Sequence, residues 1–161
     1  MTLIIHDMND IDFNKTIFSN IDNSKIIKVN NIKPCIGCFS CWIKTPGLCC
    51  LNDNYNTNGH LLSKCDKLIV ISKNYYGMFS PEIKNFFDRS ISYVKPQFQI
   101  IYGEIHHLKR YKKILNIEYY FYGDIKDNEK ATIKELVKAN GENLHSNNRL
   151  NFITKWEDYY V

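Results

Sequence analysis

The sequence predicts a single α/β domain, residues 1–161, built on a five-stranded parallel sheet with helices on both faces. Three observations carry this expectation. Short apolar runs alternate along the chain with segments of helical periodicity. The connections between strands are long enough to hold a helix, which a parallel crossover requires. The 161 residues, 44% hydrophobic and 24% charged, suit one core, with no linker or internal repeat to divide it.

The elements follow in order. Leu3-Ile4-Ile5 reads as a first buried strand. Residues 10–20 carry Ile11, Phe13, Ile17 and Phe18 at partly helical spacing. Lys25-Ile26-Ile27-Lys28-Val29 is a second strand, and residues 30–54, rich in Asn, Pro, Gly and Cys, form a long loop. A loop of that length in a small domain is usually functional or held by something. Residues 55–64 are a short helix, and Lys67-Leu68-Ile69-Val70-Ile71 is the clearest buried strand. Ser80-Pro81-Glu82 starts a helix, since Ser80 can accept from free amides and Pro81 suits the first turn. Ile83, Phe86, Phe87 and Ile91 recur at helical spacing, and Pro96 is expected to end that helix. Residues 112–122 are a long strand. Residues 127–143 are the best helix, with Gly141 as its stop, and Arg149 to Trp156 supplies a last strand. Five strands in a chain of this size suggest the flavodoxin-like three-layer sandwich with sheet order 2-1-3-4-5. Ligands of such sheets sit beyond the carboxyl ends of the strands, here after residues 6, 72 and 122.

Composition excludes several classes. A largely disordered chain would be poorer in hydrophobic residues. The apolar runs fall far short of the ~20 residues that span a bilayer. Seven Gly and four Pro exclude collagen-like repeats. A net charge of +4, from 21 basic and 17 acidic residues, is too mild to indicate a nucleic-acid partner, and nothing points to a membrane. The one basic cluster is His106-His107-Leu108-Lys109-Arg110-Tyr111-Lys112-Lys113, which could meet a nicotinamide phosphate, a neighbouring subunit or solvent. The first residues read as a strand rather than a leader, so a cytoplasmic location is expected. Six cysteines are then no disulfide framework. Five of them fall between Cys35 and Cys50, which points to a local site.

The segment Ser72-Lys73-Asn74-Tyr75-Tyr76-Gly77-Met78-Phe79-Ser80-Pro81 places two Tyr and a Gly at the expected ligand edge. Tyr rings could pack on a flat heteroaromatic ligand, and Gly77 could bring backbone amides to its polar edge. The same residues could equally pack on their own helix.

Residues 66–77, continued by Ser80-Pro81-Glu82-Ile83-Lys84-Asn85-Phe86-Phe87-Asp88-Arg89, resemble the NADPH-dependent FMN reductase family. Pro34-Cys35-Ile36-Gly37-Cys38-Phe39-Ser40-Cys41-Trp42, Thr45-Pro46-Gly47-Leu48-Cys49 and Asp53 are similar to members of that family and to the related iron–sulfur flavoproteins. The likeness covers residues 33–93 well and the rest by element order; Ser72-Lys73 stands where the family has Ser-Pro. It implies a flavodoxin-like fold and an FMN whose ring lies against Tyr75, Tyr76, Gly77 and Met78, faced by Tyr122, Gly123 and Asp124. It also implies hydride transfer from NAD(P)H to an unspecified acceptor, and a homo-oligomer. No catalytic side chain is implied.

The phosphate end departs from the family. Its members have a Gly-Ser-rich loop after the first strand, with amides and a helix end for the FMN phosphate. Here His6-Asp7-Met8-Asn9-Asp10-Ile11-Asp12 brings three carboxylates near a would-be dianion, which Asn9, the candidate contact, with Asn14, Lys15 and Thr16 could partly offset. A member that has lost flavin and acts through protein contacts is therefore the alternative. Cys35, Cys38, Cys41 and Cys49, spaced C-x2-C-x2-C-x7-C, could hold a [4Fe–4S] cluster, as in an electron-transferring iron–sulfur flavoprotein. Zinc, free thiols and disulfide-forming thiols stay open. Cys50 is an adjacent spare. Cys65 is expected in the core, Trp42 in packing, and Asp88 and Arg89 in bridging structural elements.

Overall fold

The computed structural model describes all residues 1–161. Strands β1 (Thr2–His6), β2 (Ser24–Lys28) and β3 (Lys67–Lys73) run parallel, with β1 between the other two. Two further strands, β4 (Val94–Ile101) and β5 (Glu104–Lys109), form a separate antiparallel hairpin. Strands β6 (Leu115–Tyr122) and β7 (Ser146–Ile153) complete the main sheet, whose order is β2-β1-β3-β6-β7. Leaving the hairpin aside, this is the 2-1-3-4-5 order expected from the sequence.

Alternation along the strands divides the core in two. Leu3, Ile5, Leu68, Val70, Ile117, Tyr119 and Phe121 face one side. There they meet α3 (Asn58–Lys64), α4 (Pro81–Asp88) and α5 (Asp127–Leu144) through Leu62, Ile83, Phe86, Ile133 and Val137. Ile4, Ile69, Ile71 and Ile153 face the other side. That side is covered thinly. The expected helix over residues 10–20 is a four-residue α1 (Asp10–Phe13) followed by a 3-10 turn, which together supply Phe13 and Phe18. Trp156 and Tyr159, from a last 3-10 turn, close the layer. The tail is pinned there by the Val161 amide, which donates to the Lys15 carbonyl at 2.8 Å.

The helix expected over 55–64 begins at Asn58 and the strand expected over 112–122 begins at Leu115, and other boundaries shift as well. Helix α4 ends at Asp88, with Arg89 as its cap, and Pro96 lies inside β4 beside a register irregularity, where a missing N–H does least harm. Gly141 lies within α5 rather than ending it. The helix continues to Leu144 and stops at His145, which is left-handed at φ 52°. A Cβ on Gly141 would stand 2.7 Å from Asn148, so this glycine serves the close approach of α5 to β7. The last strand begins at Ser146 and ends at Ile153, three residues before Trp156.

Candidate functional site

Two regions were expected to carry chemistry. The first is the carboxyl edge of the sheet, where β1, β3 and β6 end side by side. Asp7 follows β1 directly, and its carboxylate reaches across the neighbouring strands. It accepts from the Lys73 amide at 2.9 and 3.2 Å and from the Tyr122 hydroxyl at 2.9 Å. Burial pushes this carboxyl up from its ordinary value, and hydrogen bonds from Ser80, Lys73 and Tyr122 oppose the rise. Burial and the nearby Asp7 charge in turn push the Tyr122 phenol up.

Asn74 and Gly77 at this edge are also internally satisfied. The Asn74 side-chain amide donates to the Asp124 carbonyl at 2.8 Å and to Glu129 at 2.9 Å, while its oxygen accepts from the Gly77 amide at 2.9 Å. Gly77 was expected to offer that amide to a ligand. The turn itself is tight: Tyr75 and Met78 exchange backbone hydrogen bonds, and Tyr76 and Gly77 both have positive φ, as a type I′ turn requires. It packs on α5, since a Cβ on Gly77 would stand 2.9 Å from Thr132. The Lys73 stem lies 3.6 Å from where a Cβ on Gly123 would be. What remains open is the rim. Tyr76 is 88% exposed, Tyr75 and Met78 are exposed too, and a cavity of about 250 Å³ lies between this turn, Asp124 and Lys126.

The loop after β1 offers no anion cradle. The Asn9 oxygen accepts from the Asp12 amide at 2.9 Å and so caps α1, while its nitrogen donates to the Asp12 carboxylate at 2.6 Å. With four residues, α1 has little dipole to offer. His6 is buried, and its ring stacks on Phe13 with centroids 3.8 Å apart and planes 5° apart. Burial lowers its pKa to about 4. A flavin ring would find aromatic surface at the turn, but its phosphate would meet the carboxylates of Asp7, Asp10 and Asp12. These residues do not fit FMN at its phosphate end.

The second region is the cysteine loop, residues 30–54, which includes the short helix α2 (Ser40–Ile43). Buried and half-buried side chains tie it to the domain. The Arg89 side chain is fully buried and grips Asp53 through two bonds of 2.5 and 2.8 Å. The same guanidinium donates to the Leu51 carbonyl at 3.4 Å and to the Cys49 sulfur at 3.5 Å. Arg89 holds the Asp53 carboxyl below its ordinary value. The Tyr55 hydroxyl receives the Asn30 amide at 3.0 Å, and the Trp42 indole donates to the Val94 carbonyl at 3.1 Å. Trp42 thus packs, as expected, and Arg89 bridges elements, as expected. Its grip on Cys49 was not foreseen, because 40 residues separate the two.

The loop's cysteines gather at one apolar cavity of about 250 Å³. Cys35, Cys38, Cys41, Cys49 and Cys50 all line it, with Phe39. Cys38 and Cys50 stand 3.3 Å apart, sulfur to sulfur. Hydrogen bonds from Ser40 and Cys50 lower the Cys38 thiol to about 7, whereas burial and the neighbouring thiols Cys49, Cys35 and Cys38 raise Cys41. No three of these sulfurs crowd within 4.8 Å of one another, as a single tetrahedral zinc with ~2.3 Å bonds would draw them. Cys65 lies apart in the core, raised to about 11 by burial.

No family model matches the chain, and no curated protein matches it either. Solved structures do. A Trp repressor binding protein from Bacillus subtilis is 17% identical over 96% of this chain and 88% of its own, with a TM-score of 0.50. An FMN-dependent NADH-azoreductase from Bacillus anthracis, in complex with FMN, is 11% identical over 94% and 85%, at 0.55. An NADPH-quinone reductase from P. pentosaceus is 17% identical over 95% and 84%, at 0.52. At these identities the likeness establishes the fold, which is flavodoxin-like.

Proposed function

We propose that the chain is an electron-transfer protein on a flavodoxin-like scaffold whose redox centre is the cysteine cavity. The supporting observation is that five cysteines of one loop line an apolar cavity, while the buried Arg89 ties that loop down through Asp53 and donates to the Cys49 sulfur. Cys35, Cys38, Cys41 and Cys49 would hold a [4Fe–4S] cluster, which supplies one-electron chemistry when bound. A cubane presents its four irons at separated corners, so it asks for thiolates more widely spaced than one zinc ion does. Arg89 sets a fixed positive charge beside Cys49 and offers that sulfur a hydrogen bond. Ile36 and Phe39 supply apolar cover at the cavity wall.

A second reading is supported by the exposed aromatic turn and by the FMN bound in the azoreductase neighbour. In it, an FMN-binding NAD(P)H-dependent oxidoreductase lays the flavin ring on Tyr75, Tyr76, Gly77 and Met78, beside Tyr122, Gly123 and Asp124, with its phosphate displaced from Asn9 toward solvent. NAD(P)H would then be the hydride donor, in a homo-oligomer that shares the turn.

Anaerobic purification with iron and sulfide analysis, followed by an FMN titration, separates the two. The proposal expects about four iron and four sulfide per chain and no quenching of added FMN. Less than about one iron per chain contradicts it. Saturable uptake of FMN at an iron-free protein establishes the second reading instead.

A further inference from the structure

We propose that Glu104, His106 and Glu142 form a binding site for one divalent first-row transition-metal ion, tying the β4–β5 hairpin to α5. One ligand atom from each of the three lies within 4.8 Å of the other two. Glu104 and His106 are two apart on β5, so strand geometry sets both on one face. Glu142 comes from the last turns of α5. The three border one cavity of about 320 Å³.

The placement of His106 carries the inference furthest. It is 7% exposed, so its ring is fixed by packing. Its Nδ1 stands 3.1 Å from the Asn143 side-chain oxygen. An amide oxygen only accepts, so Nδ1 carries the proton and donates. Nε2, the ring nitrogen that Asn143 leaves free, lies 3.5 Å from a Glu104 carboxylate oxygen. One imidazole nitrogen and two carboxylates gathered this closely make a donor set that one cation can occupy. Metal-bound imidazoles have this arrangement, one nitrogen on the ion and the other donating to an oriented oxygen. One imidazole and two carboxylates suit an ion such as zinc or cobalt and leave a fourth tetrahedral position for water. Lys138 borders the same cavity, and its flexible stem must turn toward solvent when the ion enters.

The site is separate from the cysteine cavity in residues and in ligand chemistry, so it can be tested beside it. Co2+ is titrated into the purified chain and followed by absorbance. Nitrogen and oxygen ligands give weak visible bands, whereas thiolates add intense near-ultraviolet charge-transfer bands. The expected result is one Co2+ per chain with no thiolate band, together with a rise in Tm. Glu142→Gln and His106→Gln should each weaken that uptake by about tenfold or more. Glu104→Gln, at an exposed side chain that folding does not need, should do the same and keeps the test valid if His106→Gln fails to fold. Asn143→Ala, which touches only the second nitrogen, should weaken it by about tenfold. Uptake unchanged in Glu104→Gln and Glu142→Gln, uptake with thiolate bands alone, or no uptake overturns the proposal.

Discussion

The carboxyl edge of the sheet and the cysteine loop are built in opposite ways. At the edge, the groups that could greet a ligand have turned inward. Asp7 spans to Lys73 and Tyr122, the Gly77 amide is held by Asn74, and Asn9 caps its own helix. At the loop, Arg89, Asp53 and Tyr55 are bonded to one another's segments as supports, and the cysteines line a cavity. A ligand site needs unsatisfied or reactive groups held rigidly by satisfied ones. The loop meets that condition and the edge does not, although fold geometry alone favours the edge.

The comparison breaks most readily at the supports. Arg89 is buried and its partner is charged, so Arg89→Met leaves Asp53 half-covered and unpaired. Its expected cost is about 3–5 kcal/mol, read as a fall in the urea midpoint. Asp7 is bonded to neutral donors, and its charge is a cost at neutral pH because burial raises its carboxyl. Asp7→Asn keeps an acceptor for both donors and should shift the midpoint by less than about 1 kcal/mol. Equal losses at the two positions would erase the distinction.

The edge has a second signature, in its pH dependence. His6 is neutral when folded, with a pKa lowered from 6.5 to about 4. The unfolded chain therefore binds the extra proton between those values, so stability is full above 6.5 and falls as pH drops toward 4. The loss amounts to roughly 3 kcal/mol. Denaturation of the wild type and of His6→Leu at pH 7 and pH 4 should differ by that amount. Parallel curves would show that burial does not hold the ring neutral.

Two glycines sharpen the contrast on a smaller scale. Gly77 at the edge has φ +84° and would put a Cβ 2.9 Å from Thr132. Gly37 in the loop has φ +65° and open space around it. Gly77→Ala combines left-handed strain with overpacking and should cost about 2–3 kcal/mol, against about 1 kcal/mol for Gly37→Ala. Thermal melts of the two variants compare them directly. The smallest effect concerns thiol reactivity. In cluster-free protein at pH 8, iodoacetamide should modify the exposed Cys38, whose thiol is lowered to about 7, and spare Cys65, whose burial raises it to about 11. Peptide mass mapping reads this out, and modification of Cys65 in folded protein would place it outside the core.

Much of the fold was legible where local signals agreed with burial. The Leu68–Ile71 run, the Ser80-Pro81 start and the strand ending at Tyr122 all stand close to where the sequence sets them. The hairpin was not foreseen. Phe98, Ile100 and Ile105 alternate with polar residues about a Tyr102-Gly103 turn, whose two residues have φ of 51° and 86°. That signal was present, but Pro96 reads as a helix stop and the alternating residues face solvent, so no core pattern supports them. The cysteine loop was legible because its spacing is local. The closure of the edge was not, because Asp7 to Tyr122 spans 115 positions and the bond from Gly77 to Asn74 depends on how one amide is turned.

The most direct test is low-temperature EPR of anaerobically purified, dithionite-reduced protein, with Cys41→Ser and Tyr76→Ala alongside. The expected result is a paramagnetic cluster signal that survives Tyr76→Ala and disappears in Cys41→Ser. A silent wild type, or a signal lost with Tyr76 and kept without Cys41, would contradict the assignment of the redox centre to the cysteine cavity.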